Sequence, residues 1–474
     1  MAAGTTKFEA ALGVVGRLRA EGYVAFLAGG CVRDLLLGRK PKDFDVATSA
    51  TPDVVLELFE RTFAVGAHFG VVLVATCGGA DAACAAEEEG GKPEYVVTEV
   101  ATFRSDGAYS DGRHPDEVRY TRSAEEDVRR RDFTINGLLT DPAGVGGDLR
   151  AAVIDFVGGV ADLDAGVVRA IGRAEERFLE DHLRMLRGVR FAARFGFEIE
   201  ARTIAAIKRL GGRIAAVSRE RVRDELTKML TEGRARRAFE LLDESGLLAE
   251  VLPEIARMKG VEQPPQFHPE GDVWVHTLGL LGQLEEGCPL TLAWGALLHD
   301  VGKPPTFQRG PDRIRFDGHV EVGVAMAAEI LRRFRFSNEE TRQILALIES
   351  HMRFADAGRM KASTLKRFFR LDGFEEHLAL HRMDCLAGSG NLDHWEFVRE
   401  RYGAMPEETV RPKPLITGRE LIAAGYKPGA GFKEMLRAVE DAQLEGVIAT
   451  ADEAMRLVKE RFGVPESSPA NEGA

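Results

Sequence analysis

Residues 27–48 read LAGGCVRDLLLGRKPKDFDVAT, and the reading of this stretch decides the fold. It opens on the end of a short apolar run, Val24-Ala25-Phe26-Leu27. The pair Gly29-Gly30 follows, then an amphipathic segment that predicts a helix over 31–37, ended by Gly38 in the way a C-cap glycine ends one. From 42 to 47 polar and apolar residues alternate, which predicts a strand. On a strand the side-chain period is two, so Asp43 and Asp45 project from one face, roughly 6–7 Å apart along it. Two carboxylates held that close repel each other. A hard divalent cation such as Mg²⁺, which prefers oxygen ligands, removes the repulsion. Gly29 and Gly30 let a substrate backbone or phosphate approach closely, and the start of a helix favours negative charge. A phosphate cradle beside a carboxylate pair points to metal-assisted phosphoryl or nucleotidyl transfer. A bare D-x-D is more often a solvated surface pair; the longer pattern around it carries the functional reading.

Composition sets the outer bounds. A chain of 474 residues is too long for one core and predicts three or more domains. The net charge of −12 argues against bulk attraction to nucleic acid, so RNA binding needs a local basic surface. Five scattered cysteines without C-x-x-C fit a reducing cytoplasm and exclude a zinc ribbon. No apolar run approaches a membrane span, and no signal pattern is seen at the N-terminus.

Taken in order, 5–21 predicts a helix capped by Thr5 or Thr6, with Phe8, Leu12, Val15 and Leu18 near one face. Thr51-Pro52 starts another, running to about Phe59. Strands are predicted at 63–65 and 71–75 around a 66–70 turn, and at 95–103. The Gly, Ala and Glu stretch over 77–93 reads as a surface insertion. The glycine-rich loop at 105–115 has the composition of a flexible active-site loop. Glu99 is a candidate third carboxylate. The run EEDVRRRDFTINGL over 125–138 sets arginines beside Asp132, which suits a triphosphate and a ribose hydroxyl. From 178 to 197, FLEDHLRMLRGVRFAARFGF predicts one helix with a stripe through Phe178, Leu179, Leu183, Leu186, Val189 and Ala193. Asp181 and Arg184, three apart, then share a face, and an acceptor beside a donor fork can read a base edge. Ser218 predicts an N-cap for a helix over 220–230, mainly a brace for the preceding helix.

The pattern GG-x-VRD-LLLG with DFD resembles the nucleotidyltransferase motif of bacterial tRNA CCA-adding enzymes and poly(A) polymerases, the class II branch of the polymerase β superfamily. RRDFTIN and EDHLR, at 130–136 and 180–184, match that family's second and base-selecting motifs. The resemblance implies an α+β architecture. A polymerase-β-like head with a small mixed sheet spans 1–158, an all-helical neck and body 159–255, a helical HD domain 256–400 and a helical tail 401–474. It implies a nucleotidyltransferase that adds CCA to the tRNA 3′ end from CTP and ATP, with the 3′-hydroxyl attacking the α-phosphate and pyrophosphate leaving. The alternatives are an A-adding enzyme or poly(A) polymerase, and an HD phosphohydrolase acting on 2′,3′-cyclic phosphates. Asp43 and Asp45 would hold two Mg²⁺ ions, with Glu99 as third carboxylate. Gly29, Gly30, Arg33, Arg131, Asp132, Asn136, Asp181, Arg184, Arg187 and Arg190 would bind nucleotide. Arg219, Arg221, Arg234 and Arg237 form the expected footprint for the tRNA backbone.

A second constellation comprises His276, His299-Asp300 with Lys303, His319, His351 and Asp384. It resembles an HD domain, a helical metal-dependent phosphohydrolase family. These six His and Asp residues would hold one or two of Mn²⁺, Ni²⁺, Co²⁺ or Zn²⁺, with Asp300 bridging and Lys303 facing a phosphate. His68, His114, His182, His268, His377, His381 and His394 are read as structural.

Overall fold

The computed structural model describes residues 6–64, 70–77, 95–106, 118–266, 268–311 and 313–464. The expectations for the 66–70 turn, the 77–93 insertion, most of the 105–115 loop, His68, His114 and the tail from 465 lie outside the described residues. The chain forms two compact units, Met1–Ala256 and Arg257–Ala474.

The first unit opens with the helix Lys7–Ala20, closed at its start by a capping box between Thr6 and Glu9. Its buried face runs through Ala11, Val14, Val15 and Leu18. Leu12 lies about 100° off that stripe and is 44% exposed, not on the core face as expected. Seven strands follow: β1 (Ala25–Ala28), β2 (Val46–Thr48), β3 (Thr62–Phe63), β4 (Val71–Cys77), β5 (Tyr95–Thr102), β6 (Leu138–Thr140) and β7 (Val153–Asp155). They form one mixed sheet in the order β3-β4-β5-β2-β1-β6-β7. Every neighbouring pair is antiparallel except β2 with β5. The crossover between those two is what a parallel pair requires.

The expected strand over 42–47 is shorter and later than its alternation predicts. The partner strand β1 ends at Ala28, where Gly29 turns with φ +70° into the helix Gly30–Leu36. Ala28 still donates its N–H to the Asp45 carbonyl (3.0 Å). Asp43 therefore lies just ahead of the ladder, outside any strand, and Asp45 at its first rung.

The predicted helix over 178–197 is two helices, Ala174–Glu180 and Arg184–Phe195. Asp181 between them is extended (φ −142°, ψ 106°), and its carboxylate accepts from the Leu183 N–H (3.1 Å). A short acidic side chain that bonds its own following backbone offers an alternative to the helix ladder. Leu179, expected in the stripe, is 45% exposed, whereas Phe178, Leu183, Leu186, Val189 and Ala193 are buried. Arg219–Thr231, with Ser218 at its N-cap, packs against Arg184–Phe195. Arg190 crosses that contact to Glu225 (2.6 Å) and Glu232 (3.4 Å). That geometry supports the bracing role expected of this helix.

In the second unit, helices Val273–Leu281, Leu290–Leu298, His319–Arg333, Asn338–Ser350 and Phe374–Ala387 pack around Trp294, Leu297, Leu298, Leu331 and Leu347. Smaller cores gather around Phe354 and Phe368, and around Leu421, Val439 and Val458.

Removing one member of a buried ion pair leaves an unpaired buried charge. Arg190→Met is therefore expected to cost about 3–5 kcal/mol, and Arg190→Met with Glu225→Leu to recover most of it. Urea unfolding of the full chain checks this; an unchanged midpoint for Arg190→Met contradicts it.

Candidate functional site

The parallel register pairs Val46 with Val100, so one step back Asp45 stands beside Glu99. Both line a cavity of about 320 Å³ with Thr102, Arg104, Arg130 and Arg131. Burial, then the Glu99 and Asp43 carboxylates, push Asp45 up to about 6 against the pull of Arg131. Glu99 shifts the same way, by burial and by Asp43. The Glu99 and Asp43 charges thus both act on Asp45, although Asp43 and Asp45 lie ahead of the strand and not within it as the alternation predicts. Asp43 is the outermost, with 68% of its side chain exposed, and it takes an ion pair from Lys7 (2.7 Å). A cleft that concentrates negative charge fits a hard cation.

Behind the cleft runs a buried chain of hydrogen bonds. Arg33 donates to Asn136 and pairs with Asp34 (2.7 Å). The Asn136 amide donates to Asp132 (3.0 Å), and Arg187 closes on the other Asp132 oxygen (2.7 Å). Burial opposes ionisation of Asp132, but Arg187 and the Asn136 amide outweigh it and hold the group at about 2. Arg33 and Asn136 are buried and spend their hydrogen bonds inside this chain. They hold Asp132 in place, and neither lines the cavity of Asp45 and Glu99. Arg190, expected to touch nucleotide, is likewise buried on Glu225. A Cβ at Gly29 would lie 3.0 Å from the Arg131 guanidinium, so this glycine lets Arg131 close over the turn. Asp127 grips Arg131 (2.9 Å) and Arg130 (2.6 Å) from below. The sequence reading missed Asp127, although its spacing of three and four from the two arginines carried the signal.

Asp181 and Arg184 do not share a helix face. Asp181 pairs with Arg221 (2.8 Å) and Arg184 with Glu180 (2.5 Å). Arg221 is therefore drawn off the expected basic surface. Arg237 meets Glu244 (2.9 Å), and Arg234 lies against Gly196 at φ +60°. Arg219 stands in the first turn of its helix.

The second unit brings all six expected ligands together. His276 Nε2 lies 3.0 Å from Asp384 and 3.9 Å from Asp300. His299, His319 and His351 place Nε2 at 3.1, 3.9 and 4.0 Å from the same Asp300 carboxylate. Their Nδ1 atoms face the carbonyls of Ala296, Phe316 and Ile348. A carbonyl can only accept, so each Nδ1 carries the proton and each Nε2 presents a lone pair. His299 Nε2, His319 Nε2 and Asp300 Oδ1 are buried without a hydrogen-bond partner among the described residues. Buried ligand atoms left without a donor fit a divalent metal, and three donor groups are close enough to hold one: His276 with His299 and Asp300, Asp300 with His319 and His351, and His276 with His268 and Glu270. Lys303 donates to Asp300 and to Gln263, each at 2.7 Å. Lys303, His319, His351 and Asp384 border a cavity of about 570 Å³. A Cβ at Gly302 would strike the His319 carbonyl at 2.1 Å, so glycine admits that helix. His268, His381 and His394, read as structural, line the cavity too. Glu270, which joins His268 to His276, has no motif to reveal it.

The raised Asp45 has a consequence for stability. Between the ordinary carboxylate range and about 6 the folded chain binds a proton that the unfolded chain releases. Stability therefore falls as pH rises through that window and stays lowered above it. Asp45→Asn is expected to stabilise the metal-free protein at pH 7.5 by on the order of 1 kcal/mol, and not at pH 4. Thermal melts at both pH values check this; destabilisation at pH 7.5 contradicts it.

The chain matches the Poly A polymerase head domain over residues 25–169, the probable RNA and SrmB-binding site of polymerase A over 196–259, and the HD domain over 273–379. It is 32% identical over 448 residues to the CCA-adding enzyme of Geobacillus stearothermophilus, covering 94% of this chain and 95% of the relative. It is 34% identical over 444 residues to the CC-adding tRNA nucleotidyltransferase of Thermus thermophilus, covering 91% and 92%. A crystal structure of the Bacillus stearothermophilus CCA-adding enzyme in complex with CTP matches it with a TM-score of 0.70 at 28% identity, over 97% of this chain and 98% of that one. With those likenesses running along nearly its whole length, the chain belongs to the family of CCA-adding enzymes.

Proposed function

We propose that this protein adds CCA to the 3′ end of tRNA from CTP and ATP without a nucleic-acid template. The tRNA 3′-hydroxyl attacks the α-phosphate, and pyrophosphate leaves. The observation that carries this reading is the cleft in which Asp45 and Glu99 face Arg130 and Arg131. It sets acidic ligands for a cation against basic ligands for a triphosphate. The relatives are nucleotidyltransferases over more than nine-tenths of their length. They do not favour a poly(A) polymerase or a chain that is chiefly a phosphohydrolase.

Asp43, Asp45 and Glu99 would hold Mg²⁺, which when bound supplies positive charge to the attacking hydroxyl and the triphosphate. Arg131 presents its guanidinium to the phosphates, and Arg187 the part of its fork that Asp132 does not occupy. Asp132, kept ionised by Arg187, accepts from the ribose hydroxyl. Gly29 and Gly30 leave room for the nucleotide backbone. Asp181 and Arg184 read the base; each must first exchange its present partner, Arg221 or Glu180. Arg219, Arg234 and Arg237, joined by Arg221 once Asp181 turns to the base, meet the tRNA backbone. In the HD domain, His276, His299, Asp300, His319, His351 and Asp384 would hold Mn²⁺, Ni²⁺, Co²⁺ or Zn²⁺, since imidazole suits these ions. The reaction belongs in the cytoplasm, where tRNA and both nucleotides are at hand, and no described helix is long and apolar enough to cross a membrane.

The test uses tRNA lacking CCA and labelled CTP or ATP, singly and together. CTP alone should add two residues, and ATP one more only after them. ATP incorporation on the bare discriminator end, or none after CC, contradicts full CCA addition. Asp45→Ala should abolish transfer while tRNA still binds; retained transfer removes the proposed metal role.

A further inference from the structure

We infer that Glu270 is the outer carboxylate that fixes His276 as a ligand and sets the affinity of one half of the HD metal centre. This rests on the reading of that centre as a metal site.

The four histidines of the centre are not oriented alike. His299, His319 and His351 each turn Nδ1 to a backbone carbonyl three residues earlier, an acceptor supplied by their own local fold. His276 instead sits within the helix Val273–Leu281, and its Nδ1 faces the Glu270 carboxylate at 2.7 Å. A charged acceptor holds the ring more strongly than a neutral carbonyl and makes its other nitrogen a better donor to a metal. His268 approaches the same Glu270 oxygen at 2.9 Å, with its ring against that of His276 (centroids 4.8 Å apart). The second Glu270 oxygen is buried without a hydrogen-bond partner among the described residues. Glu270 lies ahead of the 273–379 span matched by the HD family. His276 belongs to the donor group with His299 and Asp300 and to the one with His268 and Glu270, but not to the one with Asp300, His319 and His351. Loss of Glu270 therefore weakens one position and spares the one built from His319 and His351.

The experiment is Mn²⁺ titration of the metal-free full-length chain, followed by calorimetry and by the electron paramagnetic resonance of free Mn²⁺. The HD-domain signal is the part of the titration that His299→Ala removes. Glu270→Gln keeps the shape and removes the charge; it should weaken the tightest part of that signal 10- to 100-fold and leave the rest of it as in wild type. His268→Asn should weaken it less than Glu270→Gln does. Equal Mn²⁺ affinity in Glu270→Gln and wild type overturns the inference, as does an equal loss in every part of the HD-domain signal. Identical titrations of wild type and His299→Ala overturn the underlying metal reading itself.

Discussion

Negative charge confined beside a β-sheet is the constraint on which the catalytic half of this molecule depends. The β2–β5 register brings Asp45 next to Glu99, and the chain before β2 brings Asp43 within electrostatic reach of both. Left alone, three such carboxylates destabilise the fold that assembles them, which is why burial and repulsion raise Asp45. Active sites commonly carry this kind of local cost. The parallel β2–β5 pair, the turn at Gly29 and the early end of β1 all serve to create that concentration of charge.

The remaining charges in the first unit are handled in the opposite way. Asp127, Asp132 and Glu225 are buried acids, and each is matched by arginine: Arg130 with Arg131, Arg187, and Arg190. Such pairs contribute little net stability but are costly to break. They make the wall of the cleft rigid. The histidines of the second unit follow a related logic, since one ring nitrogen is engaged by the protein and the other is left for a ligand. In both units, rigid polar support surrounds a few atoms whose interactions the folded chain leaves incomplete.

Local motifs with strong spacing were legible in the sequence. The helix after Gly29-Gly30, the mixed sheet and the convergence of His276, His299, Asp300, His319, His351 and Asp384 all follow from pattern or from family resemblance. Partners distant in sequence were not. Nothing near Asp181 announces Arg221, forty residues on, and nothing near Arg190 announces Glu225. Periodicity continued a helix through Asp181 because the Asp181 bond to Leu183 N–H competes with the ladder without disturbing the apolar stripe. Arg33 and Asn136 carry polar side chains in a binding motif, yet their burial behind Asp132 depends on three segments meeting.

The most direct test of the charge-concentrating cleft is anomalous diffraction from crystals of the full chain soaked with Mn²⁺ and an unreactive CTP analogue. The account predicts an ion against the Asp43 and Asp45 carboxylates with the triphosphate between it and Arg131, and loss of that ion in Asp45→Asn. A nucleotide bound with no ion at those carboxylates, or an ion there that persists in Asp45→Asn, would contradict it.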